Sequence, residues 1–285
     1  GAGPAGLEAA LSLGRRGLEV TLADRQAKLG GRLLTESTLP GLSTWIRVRD
    51  WRQHMIAKLP NVQVFPASEM TAEDIAGFGA DHVVLATGAR WRRDGIGVNG
   101  MEPLHLPGAL TPDDIFAGAA VTGDVVIYDD DHYFMGGALA ERLARAGYRV
   151  TLATPNASVS SWTAMTDEIA FLHARLHDCG ITFAPSRLIR SHQPGSTRFA
   201  CTASAAEVEI GCTTLILVTG RLPADELHGT LSGTSHPFGL HRIGDCLQPS
   251  SIADAVYSGH RFAREFGAVV DAVPRRERPA LEDHA

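Results

Sequence analysis

The sequence predicts an α/β chain built as two nested three-layer domains, the first of them lacking its opening strand. Three observations predict it. Residues 1–6 read Gly-Ala-Gly-Pro-Ala-Gly, a G-x-G-x-x-G run that leads into a helical pattern, a strand and an acidic residue, Asp24. The same plan recurs at an offset of 130 residues. Two apolar strands each end in Thr-Gly, at Thr87-Gly88 and Thr219-Gly220. Together these describe Rossmann-like domains of the FAD/NAD(P)-binding type.

In the opening motif, Gly1 makes the tight turn, Gly3 lets the backbone approach a pyrophosphate, and Gly6 lets the helix sit close on the sheet. Pro4 and Ala5 lie between them and belong to the same site. The helix N-terminus offers free N–H groups and partial positive charge to phosphates. The strand Leu18–Asp24 follows, and Asp24 is placed to bind a ribose hydroxyl, with Arg25 beside it. The motif requires a strand ahead of Gly1, in the middle of the parallel sheet. Without it both neighbours expose unpaired edges. The chain therefore reads as a piece of a longer protein cut at this turn. The alternative, a natural start at Gly1, leaves a charged amino group in the turn and a hole in the sheet.

After Asp24 comes Lys28-Leu-Gly-Gly-Arg-Leu33. Gly30 and Gly31 let this loop wrap a nucleotide, and Arg32 is either a ligand for a phosphate or the flavin, or a solvated turn residue. The stretch Trp45 to Trp51, with Arg47, Arg49 and Arg52, reads as a helix with a solvated face, or as a docking surface. The strand Val83–Ala86 then exits through Thr87-Gly88.

The second unit repeats the first. Gly147–Ala153 (GYRVTLA) matches Gly17–Ala23 (GLEVTLA). Carried back, Gly6 falls on Gly136, but Gly3 falls on Tyr133, Gly1 on Asp131 and Asp24 on Thr154. The strand Asp124–Tyr128 and a helix over 136–146 survive, while the phosphate-binding parts are gone. A carboxylate of Asp129, Asp130 or Asp131 about 4 Å from a phosphate charge costs on the order of 4 kcal/mol at an effective dielectric of ~20. That is roughly a thousandfold in affinity. The alternative is a solvated turn facing away. A helix is expected over 162–179, closed by Gly180, with His173 and His177 on one face as surface or partly buried histidines rather than a metal pair. The segment from about Phe183 to Thr213 is short and polar, which puts a regular strand set there in doubt. The chain returns through Leu215–Gly220 and reaches Ile243-Gly244-Asp245-Cys246 before a helix from Ser251 to Phe266. Asp245 is placed either to accept a ribityl hydroxyl of a flavin or to cap that helix.

The expected boundaries are 1–95 plus 215–270 for a discontinuous FAD/ADP-binding domain, 120–213 for the degenerate NAD(P)-like domain inserted into it, and 271–285 for a charged, proline-bearing tail. Hydrophobic residues make up 44% of the chain and the formal charge is −6, with no basic run to suggest nucleic acid and no apolar run of membrane-span length. Cys179, Cys201, Cys212 and Cys246 are widely spaced. Without a C-x-x-C, a redox dithiol or a local metal cluster is not expected, and the four read as ordinary reduced thiols of a cytoplasmic protein.

Several stretches resemble the C-terminal half of the trimethylamine dehydrogenase family. They are Ala80–Asp94, Val125–Met135, Arg242–Asp245, Ile252–Ala255 and Ser258–Glu265. That family includes dimethylamine and histamine dehydrogenases, N-methylproline and dimethylglycine demethylases and, more distantly, 2,4-dienoyl-CoA reductase. The Tyr133-Phe-Met135 stretch in place of glycines resembles the amine-dehydrogenase branch rather than the reductase branch. The resemblance implies FAD or ADP in this portion. It also implies a preceding TIM barrel with FMN and an iron–sulfur cluster, oxidation or demethylation of a small methylated amine, electron exit to an electron-transferring flavoprotein or ferredoxin, and a homo-oligomer. No catalytic residue of amine oxidation falls in this chain. The residues that carry over are Gly1, Gly3, Gly6, Asp24, Gly30-Gly31-Arg32, Thr87-Gly88 and Gly244-Asp245. An NAD(P)H-dependent ene- or dienoyl-CoA-type reductase and a non-catalytic nucleotide-binding module are the competing readings.

Overall fold

The computed structural model describes residues 1–268. The chain starts on helix α1 (Pro4–Arg15), with Gly3 as an extended N-cap and Pro4 in the first turn, where a missing N–H costs nothing. Its inner face buries Leu7, Ala10 and Leu11. Gly17, at φ +86°, ends it in a left-handed turn that favours glycine. Strand β1 (Val20–Ala23) comes next, then the short α2 (Leu33–Glu36), α3 (Arg47–Ile56) and β2 (Val62–Phe65). β2 lies parallel to β1 with Leu22 opposite Val64. Helix α4 (Ala72–Gly77) is fixed by a Thr71–Asp74 capping box, and β3 (His82–Leu85) and β4 (Ala89–Trp91) follow.

The second unit opens with α5 (Pro112–Phe116), β5 (Val125–Asp129), α6 (Phe134–Arg145), β6 (Val150–Ala153), α7 (Ile169–Asp178) and β7 (Thr182–Ala184). Three antiparallel strands come after it: β8 (Arg187–Gln193), β9 (Gly195–Cys201) and β10 (Glu207–Cys212). Then comes β11 (Thr214–Val218). The parallel sheet runs β11-β5-β6-β7. Ile127, Leu139, Leu152, Leu176 and Ile216 fill the layer between this sheet and its helices.

Three expectations are corrected here. The segment from Phe183 to Thr213 carries a complete antiparallel sheet. Its inward residues, among them Ile189, Phe199 and Cys212, cover the face of the parallel sheet on which Tyr128 lies. Its polarity belongs to the outer face. Residues 215–218, assigned to the first domain, are hydrogen-bonded to β5 and complete the second sheet, because the strand must finish that sheet before the chain can leave. The helix expected over 162–179 is broken. Ser161–Thr166 is a 3-10 turn, Asp167 adopts a left-handed φ of +58°, and α7 starts only at Ile169.

The chain crosses back on β12 (Arg221–Pro223), which pairs antiparallel with β4, Arg221 opposite Trp91. This two-strand ladder joins the units. Helix α8 (Glu226–Ser232), β13 (Gly239–Arg242) and α9 (Ile252–Glu265) complete the described chain. β13 is parallel to β3, and α9 starts at a Ser251–Asp254 capping box and packs on α1. The crossing is close: a Cβ on Gly259 would lie 2.2 Å from the Ala5 carbonyl oxygen. β1 and β3 do not pair with one another. Gly1 lies between their ends, its nitrogen donating to the Ala23 carbonyl at 3.0 Å, and a Cβ on it would meet the Ala86 carbonyl oxygen at 2.3 Å. The facing edges of β1 and β3 are unpaired among the described residues. The expected tail, 271–285, lies outside the described residues.

Candidate functional site

A cavity of about 2210 Å³ is lined by the N-terminal turn of α1, by the facing strands β1 and β3, and by Asp131 and Tyr133 of the second unit. Its wall includes Gly1, Gly3, Pro4, Ala5 and Gly6. The motif glycines have different environments. A Cβ on Gly6 would lie 1.9 Å from the Gly1 carbonyl oxygen, so Gly6 is demanded by packing. A Cβ on Gly3 would meet nothing within 4 Å, so Gly3 faces open space in front of the helix N-terminus. That open cradle fits a pyrophosphate, approached by backbone N–H groups and the positive end of α1.

Asp24 is buried, and its carboxylate accepts the N–H of Ala2 at 2.5 Å and of Gln26 at 2.7 Å. It pins the turn to the end of β1, and each oxygen keeps a lone pair for a ribose. Arg25 is exposed on the same wall. Gly30 donates to the Ala2 carbonyl at 2.9 Å, and Gly31, at φ +53°, sits so close that a Cβ would lie 3.1 Å from the Gly3 Cα. The wrapping loop therefore lies directly over the motif. On the opposite side Gly244, at φ +59°, brings Asp245 to α1; a Cβ there would meet the Ala5 Cβ at 2.5 Å. The Thr87 hydroxyl contacts the Ala224 carbonyl at 2.6 Å and the Cys246 Sγ at 3.0 Å, joining the exit turn to the return segment, and Gly88 takes φ +83°.

Arg32 is not a solvated turn residue. Its guanidinium pairs with Glu36 and reaches Asp245 at 3.1 Å. Arg221, which the sequence reading did not single out, reaches the same Asp245 oxygen at 2.8 Å and the Ser250 carbonyl at 2.8 Å. Both guanidinium carbons stand over the Trp91 ring, at 5.5 Å for Arg32 and 5.3 Å for Arg221. Burial disfavours the charge on Arg32, but Glu36 and Asp245 raise its pKa above the ordinary value. Burial and the neighbouring Arg32 lower that of Arg221. The one signal for Arg221 in the sequence was its position directly after the second Thr-Gly exit, matching Arg90 one residue further after the first.

Of the three acids of the second turn, Asp129 and Asp130 are folded inward and Asp131 is half-buried. Asp129 accepts the N–H of Asp131 at 3.2 Å and of His132 at 2.9 Å, while its Oδ2 has no partner and stands 2.5 Å from where a Gly136 Cβ would be. Burial and the nearby Asp131 charge push its pKa up to about 7. Burial also works against the Asp130 carboxylate, but His132 at 3.0 Å, the Asn99 amide and the Gly100 and Asn99 N–H groups hold it below the usual range. Asp131 lines the cavity, and burial raises its pKa against the pull of Arg221 and Arg32. Tyr133 stands where the first unit has Gly3, at the N-cap of α6.

His173 hydrogen-bonds the Val159 carbonyl at 3.0 Å, and the His177 ring lies tilted against Phe183 with centroids 4.5 Å apart. No group of three metal-ligating side chains occurs among the described residues. Trp51 is half exposed, with Arg15 and Arg52 each 5.5 Å from its ring. Among the described residues, no helix is long and apolar enough to cross a membrane.

Residues 1–236 match the family described as "Pyridine nucleotide-disulphide oxidoreductase". The chain is 34% identical to dimethylamine dehydrogenase from Hyphomicrobium sp. (strain x), covering 98% of this chain and 42% of that one. Histamine dehydrogenase from Rhizobium sp. 4-9 superposes with a TM-score of 0.93 at 42% identity, over 99% of this chain and 46% of its own. The 6-hydroxypseudooxynicotine amine oxidase from Pseudomonas geniculata N1 gives 0.90 at 41% identity, over 94% and 41%. The chain thus spans less than half the length of these relatives. It belongs to the pyridine nucleotide-disulphide oxidoreductase family.

Proposed function

We propose that the cleft at α1 holds the ADP moiety of FAD, or ADP itself, in a protein that oxidises a small N-methylated amine. The observation that carries the nucleotide reading is Gly3, the helix N-cap, facing open space beside packed Gly6 and Gly31. Gly1, Gly3, Pro4, Ala5 and Gly6 hold the pyrophosphate, Asp24 and Arg25 lie on the ribose side, and Gly30, Gly31 and Arg32 close over it. Thr87, Gly88, Gly244 and Asp245 shape the far wall. A bound flavin would supply two-electron redox chemistry; these residues bind and orient.

The amine is supported by the relatives, whose names include dimethylamine and histamine dehydrogenases. The filled turn at Asp129 supports a further point. On this reading the second unit takes no nicotinamide cofactor, and electrons leave to a separate carrier, an electron-transferring flavoprotein or a ferredoxin. The family resemblance implies FMN and an iron–sulfur cluster outside the residues of this chain. A soluble cytoplasmic homo-oligomer is the setting consistent with this reading. The test is a substrate screen of the protein expressed from its whole natural reading frame, with an artificial electron acceptor. Turnover of methylated amines supports the reading. Turnover only of enoyl or dienone substrates with NAD(P)H overturns it.

A further inference from the structure

The pairing of β13 with β3 brings two imidazoles together at the start of β3, away from the Thr87-Gly88 turn. His82 stands opposite Gly239, and His241 follows two residues on, so both fall on one face of the pair. The His82 Nδ1 and the His241 Nε2 are 3.3 Å apart. Gly239 makes room for them: a Cβ there would lie 2.5 Å from the first nitrogen and 3.1 Å from the second. Both nitrogens therefore converge on the space over a glycine. Two rings of α9 hold the imidazoles in place, Phe266 edge-on to His82 with centroids 4.7 Å apart and Phe262 against His241 at 5.0 Å. His82 is exposed and His241 half-buried, so solvent reaches the pair.

Two neutral imidazoles this close have two uses. The N–H of one can donate to the lone pair of the other, but N–H donors ordinarily sit about 2.7–3.2 Å from their acceptors. Alternatively, both lone pairs can meet one ion. Nitrogens about 2.0–2.1 Å from a tetrahedral metal ion stand about 3.3–3.4 Å from each other. The separation of His82 and His241 matches the second arrangement. Imidazole suits zinc, copper and nickel, whereas magnesium and calcium take oxygen ligands. We propose that His82 and His241 bind one divalent ion of the zinc type over Gly239, with water completing its coordination. With two protein ligands such an ion exchanges with solvent, unlike one closed in by four. It fastens β13, which returns to the first domain after the second unit, to β3. None of these residues belongs to the nucleotide reading.

The experiment uses the protein expressed from its whole natural reading frame, cleared with a chelator and dialysed against a series of zinc chloride concentrations. Bound zinc is counted per chain by atomic absorption. His82→Gln and His241→Gln should each bind one zinc fewer than the parent. Their affinity for that ion should fall at least about tenfold, the loss that follows even when a residue that only orients a metal ligand is removed. Gly239→Ala keeps both imidazoles, fills the space between them and should lose the same zinc. Zinc should raise the melting temperature of the parent by more than that of any variant, because an ion held only by the folded state stabilises it. Magnesium at the same concentrations should not displace the zinc. If one variant does not fold, the other two decide. Equal zinc in the parent and the histidine variants overturns the proposal. So does a loss seen with one histidine variant and not the other, which would place the ion elsewhere.

Discussion

The Asp129 carboxylate accepts the backbone N–H of His132 at 2.9 Å and so closes the turn between β5 and α6. Its Oδ2 lies beside Gly136 as the Gly1 carbonyl oxygen lies beside Gly6 in the first unit, while the position of Gly3, which faces open space, is held by Tyr133. The two copies of one motif have thus diverged at the position of Gly3, open in the first and occupied by Tyr133 in the second.

The closed turn predicts a pH dependence of stability. Asp129 titrates near 7 when folded and near ~3.9 when unfolded. Between those values the folded state binds the extra proton, so stability falls as pH rises from about 4 to about 7, then levels. Asp129→Asn keeps the acceptor for the Asp131 and His132 N–H groups and removes the charge. Melting temperatures from pH 4 to 8 should show a smaller loss for the variant than for the parent. Parallel curves would show that Asp129 does not carry the proton.

The same turn predicts that NADPH is not an electron donor. Stopped-flow mixing of the protein, expressed from its whole natural reading frame, with NADPH should give no rapid bleaching of flavin. Fast bleaching that saturates at micromolar NADPH would mean that the Asp129 turn opens, and would favour the reductase reading.

Two glycines predict opposite phenotypes. Gly3→Val places a side chain into open space at an ordinary backbone conformation, φ −72°. Its melting temperature without ligand should match the parent, while nucleotide retained after purification is lost. Retention unchanged would count against the cradle. Gly259→Ala drives a methyl to 2.2 Å from the Ala5 carbonyl oxygen and forces α1 and α9 apart. Overpacking of this kind costs about 1–3 kcal/mol. The unfolding free energy from denaturant titration should fall by that amount, and an unchanged value would mean that the crossing is looser than described.

What the sequence determined by itself is local or repeated. The spacing of Gly1, Gly3 and Gly6, the strand ending at Asp24, the second copy with its lost glycines and the Thr-Gly exits are each written within a few residues. Side-chain periodicity and glycine conformations act over that range. The antiparallel sheet of β8–β10 was hidden because its outer face is polar, and the break at Asp167 because one left-handed residue leaves no mark in a helical pattern. The tertiary structure alone decided the rest. Arg32 and Asp245 are 213 residues apart and meet, with Arg221, on Trp91 only because the chain leaves and re-enters the first domain on paired strands. Asp129 and Asp130 turn inward because loop N–H groups from their own turn and from Asn99 and Gly100 surround them, and a carboxylate so surrounded is better satisfied inside than a sequence of three acids suggests.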